Sequence, residues 1–253
     1  MFRLPNDPSE PIIKAKDHIS SAHRDCHLHL PETAIVFFMS SGIEYLCENY
    51  PVKKLPEPFP RFANRCPIWK LREEQICFLD GGRGAPQAGD TVETLAALGV
   101  KTILSVGMFG AFDPRIRIGE IITPEKAFVE EGTSLHYYRS IPYAAPDGAM
   151  LQRIAARLQI KTYPIVSTDA MYRQTYCKEQ FWRDEGAVGV DMETSAMFSV
   201  SRYLGLHTAA ILMASDLHPM HPGDPCWAWY MTKDMRYDLT DKSIEIAIRL
   251  RND

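Results

Sequence analysis

The segment Gly189-Val190-Asp191-Met192-Glu193-Thr194-Ser195-Ala196 sets two acids around one methionine, between a short apolar run and an apolar helix-forming stretch. Phe181-Trp182-Arg183-Asp184-Glu185-Gly186-Ala187-Val188 precedes it. A carboxylate buried at a strand end is costly unless it is paired or has a ligand to hold. Further on, a second apolar run, Ala209-Ala210-Ile211-Leu212-Met213-Ala214, ends on Ser215-Asp216. Two parallel strands that each finish on an acid would make a pocket floor, because open α/β sheets bind ligands at the carboxyl ends of their strands.

The rest of the chain bounds this reading. A length of 253 residues holds one large α/β domain or two small ones, and 45% apolar with 24% charged residues is an ordinary globular composition. A net charge of -4 makes no electrostatic case for a nucleic-acid or anionic-membrane partner. The six cysteines, Cys26, Cys47, Cys66, Cys77, Cys177 and Cys226, are widely spaced without a CxxC, so buried free thiols are expected and no disulfide framework. The start, Met1-Phe2-Arg3-Leu4-Pro5, has no long apolar core behind it, and no stretch approaches a membrane span, so a cytoplasmic protein is expected.

Residues 1–30 read as an irregular arm with one short strand at Ile12-Ile13; residues 31–253 read as one domain without repeats or linkers. In the arm, His23, His27 and His29 cluster with Asp25 and Cys26. A metal site and a polar surface turn are the two readings, and the turn is favoured because no matching ligand set appears elsewhere at zinc-like spacing. No metal or organic cofactor is expected. Thr33 to Met39 is a continuous apolar run and so a buried strand, and Ser40-Ser41-Gly42 turns it into a helix over Ile43–Glu48. Ile68–Leu71 and Gln75–Asp80 read as a hairpin around Arg72-Glu73-Glu74. Gly81-Gly82-Arg83-Gly84-Ala85-Pro86 then opens a helix over 87–98, and three glycines in four residues point to close backbone approach, either to a ligand or to another strand. Lys101–Val106 is a strand that completes a right-handed βαβ unit, followed by a glycine turn at 107–110. Ile118–Pro124 is a short strand ending at its proline. Residues 133–138 form a polar, aromatic loop, Gly148–Leu158 an amphipathic helix, and Thr162–Asp169 a strand running into a polar loop at Ala170–Arg173. Helices are expected over Thr194–Leu204 and Leu239–Leu250, with a rigid loop at 218–225.

Four segments, in this order and spacing, resemble the nucleoside phosphorylase-I family of purine nucleoside phosphorylases, uridine phosphorylases and nucleosidases. They are Gly81–Pro86 with its helix, 107–110 with Ile118-Gly119-Glu120-Ile121, Val190-Asp191-Met192-Glu193, and Ser215-Asp216. The resemblance spans roughly residues 33–250. It implies a three-layer α/β/α sandwich around a twisted, mixed, partly closed sheet, and a homodimer or a hexamer built as a trimer of dimers. It implies roles as well. Met192 packs under the sugar of a nucleoside and Glu193 binds its 2′- and 3′-hydroxyls, which suits a carboxylate that accepts two hydrogen bonds. Asp191 stands at a position often acidic in relatives; equally, it would cap the following helix. Asp216, with Ser215 before it, would protonate N7 of a purine, for which it must be desolvated and raised in pKa. Met171 and Tyr172 fall where relatives stack on the base. Gly107, Met108 and Phe109 line the substrate.

The resemblance breaks where relatives hold phosphate. Gly42 sits in a turn without the family's arginine, and Ser105 and Met108 replace an arginine and a Ser or Thr. Methionine donates no hydrogen bond to an oxyanion, and losing an arginine removes a bidentate partner. Arg65 matches an arginine lent across the dimer, and Arg83 is an extra cation that is either a compensating ligand or a surface residue. Phosphorolysis, with inorganic phosphate as co-substrate, therefore competes with hydrolysis by water activated at Glu193 or Glu131. A non-catalytic nucleoside-binding protein is a third reading. A purine is favoured, because the Gln-x-Arg insertion of uridine phosphorylases is absent between Tyr172 and Gly189.

Overall fold

The computed structural model describes residues 9–22, 28–71 and 74–252. His23, Asp25, Cys26 and His27, and the Arg72-Glu73 turn, lie outside the described residues. The elements in order are α1 (Ala15–Ala22), β1 (Thr33–Phe37), α2 (Ser40–Asn49), β2 (Val52–Lys54), β3 (Ile68–Leu71), β4 (Ile76–Asp80), α3 (Ala85–Ala97), β5 (Thr102–Ala111), β6 (Ile121–Glu130), α4 (Ser134–Tyr137), β7 (Tyr143–Ala144), α5 (Gly148–Leu158), β8 (Lys161–Thr168), α6 (Tyr176–Asp184), β9 (Gly189–Asp191), α7 (Thr194–Tyr203), β10 (His207–Leu217) and α8 (Lys233–Asn252).

All five residues of β1 are buried. Side chains alternate across a strand, so Ala34 and Val36 enter one apolar cluster while Ile35 and Phe37 enter another. The first cluster takes in Ile19 of α1, Val92 and Leu95 of α3, and Met197 and Val200 of α7. The second takes in Leu46 of α2, Ile154 of α5, and Leu239 and Ala247 of α8. These are the three layers the resemblance implies: helices, sheet, helices.

The strands follow the order β10-β6-β8-β9-β5-β1-β4-β3-β2, and β10 also pairs with β5. That extra pairing closes β10, β6, β8, β9 and β5 into a ring, from which β1, β4, β3 and β2 extend as an open wing. The sheet is mixed. β10 and β1 run parallel to β5, whereas β9 runs antiparallel to it.

Several expectations change here. The two acid-bearing strands, β9 and β10, are not parallel; they lie on opposite sides of β5 and run in opposite directions. Residues 107–110 form no turn but continue β5 to Ala111, because β9 and β10 supply ladder partners there. Pro124 lies inside β6, at a register shift against β8, where a missing N–H is tolerated. β4 and β5 flank β1 and do not pair with each other. Ser40-Ser41-Gly42 is already the first turn of α2. The arm contains a helix and no strand at Ile12-Ile13. Helix α6 was unforeseen, and the loop at 133–138 carries one helical turn.

One close contact fixes β9 against β5. A Cβ on Gly189 would stand 2.2 Å from Phe109 and 2.7 Å from the Gly110 carbonyl oxygen. Gly189→Ala should therefore destabilise the protein by about 1–3 kcal/mol through overpacking, measured as a lower urea midpoint; an unchanged midpoint would show that β9 has room to move.

Candidate active site

Gly110 is the residue around which the acids gather. On one side it pairs with Val190, and on the other with Asp216. With strands spaced by about 4.8 Å, those two backbones stand roughly 10 Å apart across β5.

Asp191 and Glu193, though close in sequence, are used differently. Asp191 is buried, and both its oxygens are engaged: Oδ1 accepts Ser167 Oγ–H at 2.5 Å, while Oδ2 accepts Thr194 N–H at 3.1 Å and Thr194 Oγ1–H at 2.5 Å. It caps α7, and the expected substrate contact has no free oxygen to use. Burial raises its pKa against the opposing hydrogen bonds from Ser167 and Thr194. Glu193 is 9% exposed, and its Oε1 accepts Gly84 N–H at 2.6 Å. Oε2 takes no side-chain donor among the described residues. Gly84 turns its amide toward Glu193 at φ 80°, in the left-handed region that suits glycine, just ahead of Pro86 in the first turn of α3. Burial, then the neighbouring Asp191, push the Glu193 pKa up. Met192 between them is half-buried.

Asp216 is 4% exposed and surrounded by donors. Oδ2 accepts Trp227 Nε1–H at 2.5 Å and lies 3.2 Å from His218 Nε2; Oδ1 meets the Ser215 hydroxyl. Burial would raise its pKa, but the bonds from His218, Ser215 and Trp227 outweigh that and hold the carboxyl below its ordinary value. The expectation of a protonated Asp216 is thereby corrected: it is desolvated but ionised. His218 Nδ1 in turn lies 2.7 Å from Glu179 Oε1, on α6. Burial lowers the His218 pKa, yet its bonds to Asp216 and Glu179 win and push it up to about 9. The sequence reading missed His218, Glu179 and Trp227. A histidine two places after a strand-end acid was a usable signal; a glutamate from a separate helix was not.

Other predicted residues fall elsewhere. Phe109 is a core side chain whose carbonyl lies 3.2 Å from Ser215 Oγ. Met108 packs against the opposite core cluster, and Gly107 is buried within β5. Met171 and Tyr172, on a single 3-10 turn, are 52% and 91% exposed, so little among the described residues covers them. Glu131 is occupied, accepting Ser134 N–H and Ser195 Oγ–H, which leaves it poorly placed to activate water. At the phosphate positions, Ser105 is buried with an unpartnered hydroxyl, and Gly42 packs against the Phe37 ring. Arg83 pairs with Asp80 at 3.2 Å and is half exposed. Arg65 is exposed and lines a cleft of about 230 Å³ with Lys54 and Pro58. A second cleft, of about 500 Å³ between His29, Lys53 and Gln75, contains none of the acids. No cluster of metal ligands occurs among the described residues, nor does any helix there have the length and apolarity to cross a membrane.

Residues 32–227 match the family described as the phosphorylase superfamily. A guanosine phosphorylase of Halorubrum lacusprofundi is 34% identical over 136 residues, 51% of this chain and 56% of that protein. An uncharacterised protein of Acanthamoeba polyphaga mimivirus is 26% identical over 65% of each chain. The chain thus spans between about half and two-thirds of the length of these curated relatives. Among solved structures, a uridine phosphorylase of Vibrio fischeri superposes with a TM-score of 0.71 at 25% identity, covering 89% of this chain and 93% of that one. An AMP nucleosidase of Bacteroides thetaiotaomicron shares the fold, with a TM-score of 0.68 at 19% identity over 88% and 91% of the two chains.

The His218 pairing makes stability depend on pH. Because its folded pKa lies above the ordinary 6.5, its contribution is complete below about 6.5 and is lost as pH rises through about 9. Asp216 acts oppositely, its contribution disappearing as pH falls through its lowered folded pKa. The melting temperature should decline between pH about 6.5 and 9, and His218→Asn should flatten that decline. An equal decline in the variant would remove His218 as its cause.

Proposed function

The chain belongs to the phosphorylase superfamily, and we propose that it cleaves the N-glycosidic bond of a purine nucleoside, with phosphate as the attacking group. The observation that carries this reading is Glu193: a nearly buried carboxyl with one oxygen held by the Gly84 amide and the other without a side-chain donor among the described residues. A vicinal diol supplies two donors to such a group. It would also favour the ionised form and so oppose the burial that raises the pKa. Met192, half-buried beside it, would pack under the sugar.

Asp216, across β5 from Val190, would stand on the leaving-group side. Its oxygens already have partners, and the half-exposed Trp227 indole is the one a base would displace. The bond between ribose and base would break through an oxocarbenium-like state. A phosphate oxygen would then join the anomeric carbon, giving ribose 1-phosphate and free base. Met171 and Tyr172 would face the base, and a second copy of the chain, in a homodimer or hexamer, would cover their exposed side chains and bring Arg65 to the phosphate.

Hydrolysis is the second reading, and a specific observation favours it. Arg83, the cation beside the Glu193 loop, is engaged by Asp80, while Ser105 and Met108 offer phosphate no charge. Incubation with guanosine, inosine, adenosine, uridine and AMP, with and without phosphate, separates the readings. Base release that requires phosphate supports phosphorolysis, release without it supports water, and binding without release leaves a non-catalytic nucleoside binder. Glu193→Ala should raise KM roughly 10- to 100-fold, as expected for a lost charged hydrogen bond; unchanged kinetics would take Glu193 out of the site. Asp216→Asn should lower kcat roughly 100-fold with a smaller change in KM, and a full-rate variant would mean the base departs unaided.

A further inference from the structure

We propose that His218, backed by Glu179, holds the proton that Asp216 hands to the departing purine, an inference that rests on the nucleoside-cleaving reading above. The geometry is specific. Nε2 of His218 lies 3.2 Å from Asp216 Oδ2, and Nδ1 lies 2.7 Å from Glu179 Oε1. Ionised carboxylates only accept, and an imidazole donates from both nitrogens only as the imidazolium. Two carboxylates on opposite edges of one ring therefore select the charged form. Asp216 from β10 and Glu179 from α6 are the charged groups that face it, and both are buried.

The surroundings hold the ring in this position. The His218 backbone N–H donates to the Ala111 carbonyl at 2.7 Å, which ties the start of the loop to β5. Gly110 clears the space: a Cβ there would stand 2.4 Å from His218 Nε2 and 3.1 Å from Asp216 Oδ2. Glu179 is 6% exposed in the first turn of α6, so its carboxylate is committed to the imidazole.

This arrangement resolves a chemical difficulty. An ionised Asp216 cannot by itself protonate a leaving group. As the bond from C1′ to the purine breaks, the bonding pair goes to the base. The proton moves from His218 Nε2 to Asp216 Oδ2 and on to N7. His218 is left neutral, with Nδ1–H still donating to Glu179, and Asp216 returns to its carboxylate. The nucleophile, phosphate or water, releases one proton as it bonds to C1′, and that proton recharges the imidazole. His218 does not touch the reacting atoms; it acts as a positioning and proton-holding residue through Asp216.

The test compares guanosine with 7-methylguanosine, whose purine already carries a methyl group and a positive charge at N7 and leaves without a proton. His218→Asn and Glu179→Gln should lower kcat for guanosine roughly 100-fold while leaving 7-methylguanosine close to the wild-type rate. In Glu179→Gln the fall of kcat at high pH should begin at lower pH than in the wild type, because the imidazolium has lost one carboxylate. Gly110→Ala, which displaces the ring, should show the same selectivity between substrates. Equal losses on both substrates with an unmoved pH profile would reduce His218 to a structural clamp and overturn the proposal. Wild-type protein that cleaves uridine but no purine would remove the N7 acceptor and overturn it too, leaving the nucleoside reading intact. Wild-type protein that cleaves no nucleoside would overturn both.

Discussion

Strand β5 near Gly110 is held from both sides, by β9 antiparallel and by β10 parallel. Everything the candidate site does depends on that double pairing. It closes part of the sheet into a ring, and it brings two segments far apart in the chain to one short length of backbone. It also demands the absence of side chains. Gly189 leaves room for Phe109, and Gly110 leaves room for the His218 ring. A larger residue at either place would separate the strands or push the imidazole from the carboxylate.

Asp191, Asp216 and Glu193 are buried near this point, and each meets the cost of desolvation differently. Asp191 fills both oxygens with Ser167 and Thr194 and serves as the cap of α7. Asp216 is held ionised by an imidazole, an indole and a hydroxyl. Glu193 receives the amides of Gly84 and Met192 and feels the Arg83 charge, but takes no side-chain hydrogen-bond donor among the described residues. An incompletely matched buried carboxyl in a family of nucleoside-cleaving proteins is where a ligand's own donors would best repay burial. The same logic separates Glu193 from Glu131, whose oxygens are already taken within the chain.

Burial and pairing also divide the labour between acid and proton. In the proposed reaction Asp216 would reach the base without holding the proton, and His218 would hold the proton one step removed. Asp216 and Glu179 together favour a charged imidazole next to an ionised acid inside the protein.

Much of this was present in the chain itself. The uninterrupted apolar run at 33–37 requires a strand covered on both faces, and it is covered on both. The glycine-rich turn at 81–84 before Pro86 announces a helix start with close backbone approach, and a Cβ on Gly81 would indeed stand 2.6 Å from Val36 of the neighbouring strand β1. The spacing of Asp191 and Thr194 contained the helix cap, and the ordered motifs contained the family. Local pattern could not supply strand direction, because an apolar run reads the same whichever way its neighbours point; β9 and β10 look parallel in sequence and run in opposite directions in the sheet. Nor could it supply the ionisation of Asp216, which depends on partners 2, 11 and, through His218, 37 residues away in sequence. Hydrogen bonding and desolvation act through space, so the charge on that acid was decided only once α6 and the loop bearing Trp227 had packed against β10.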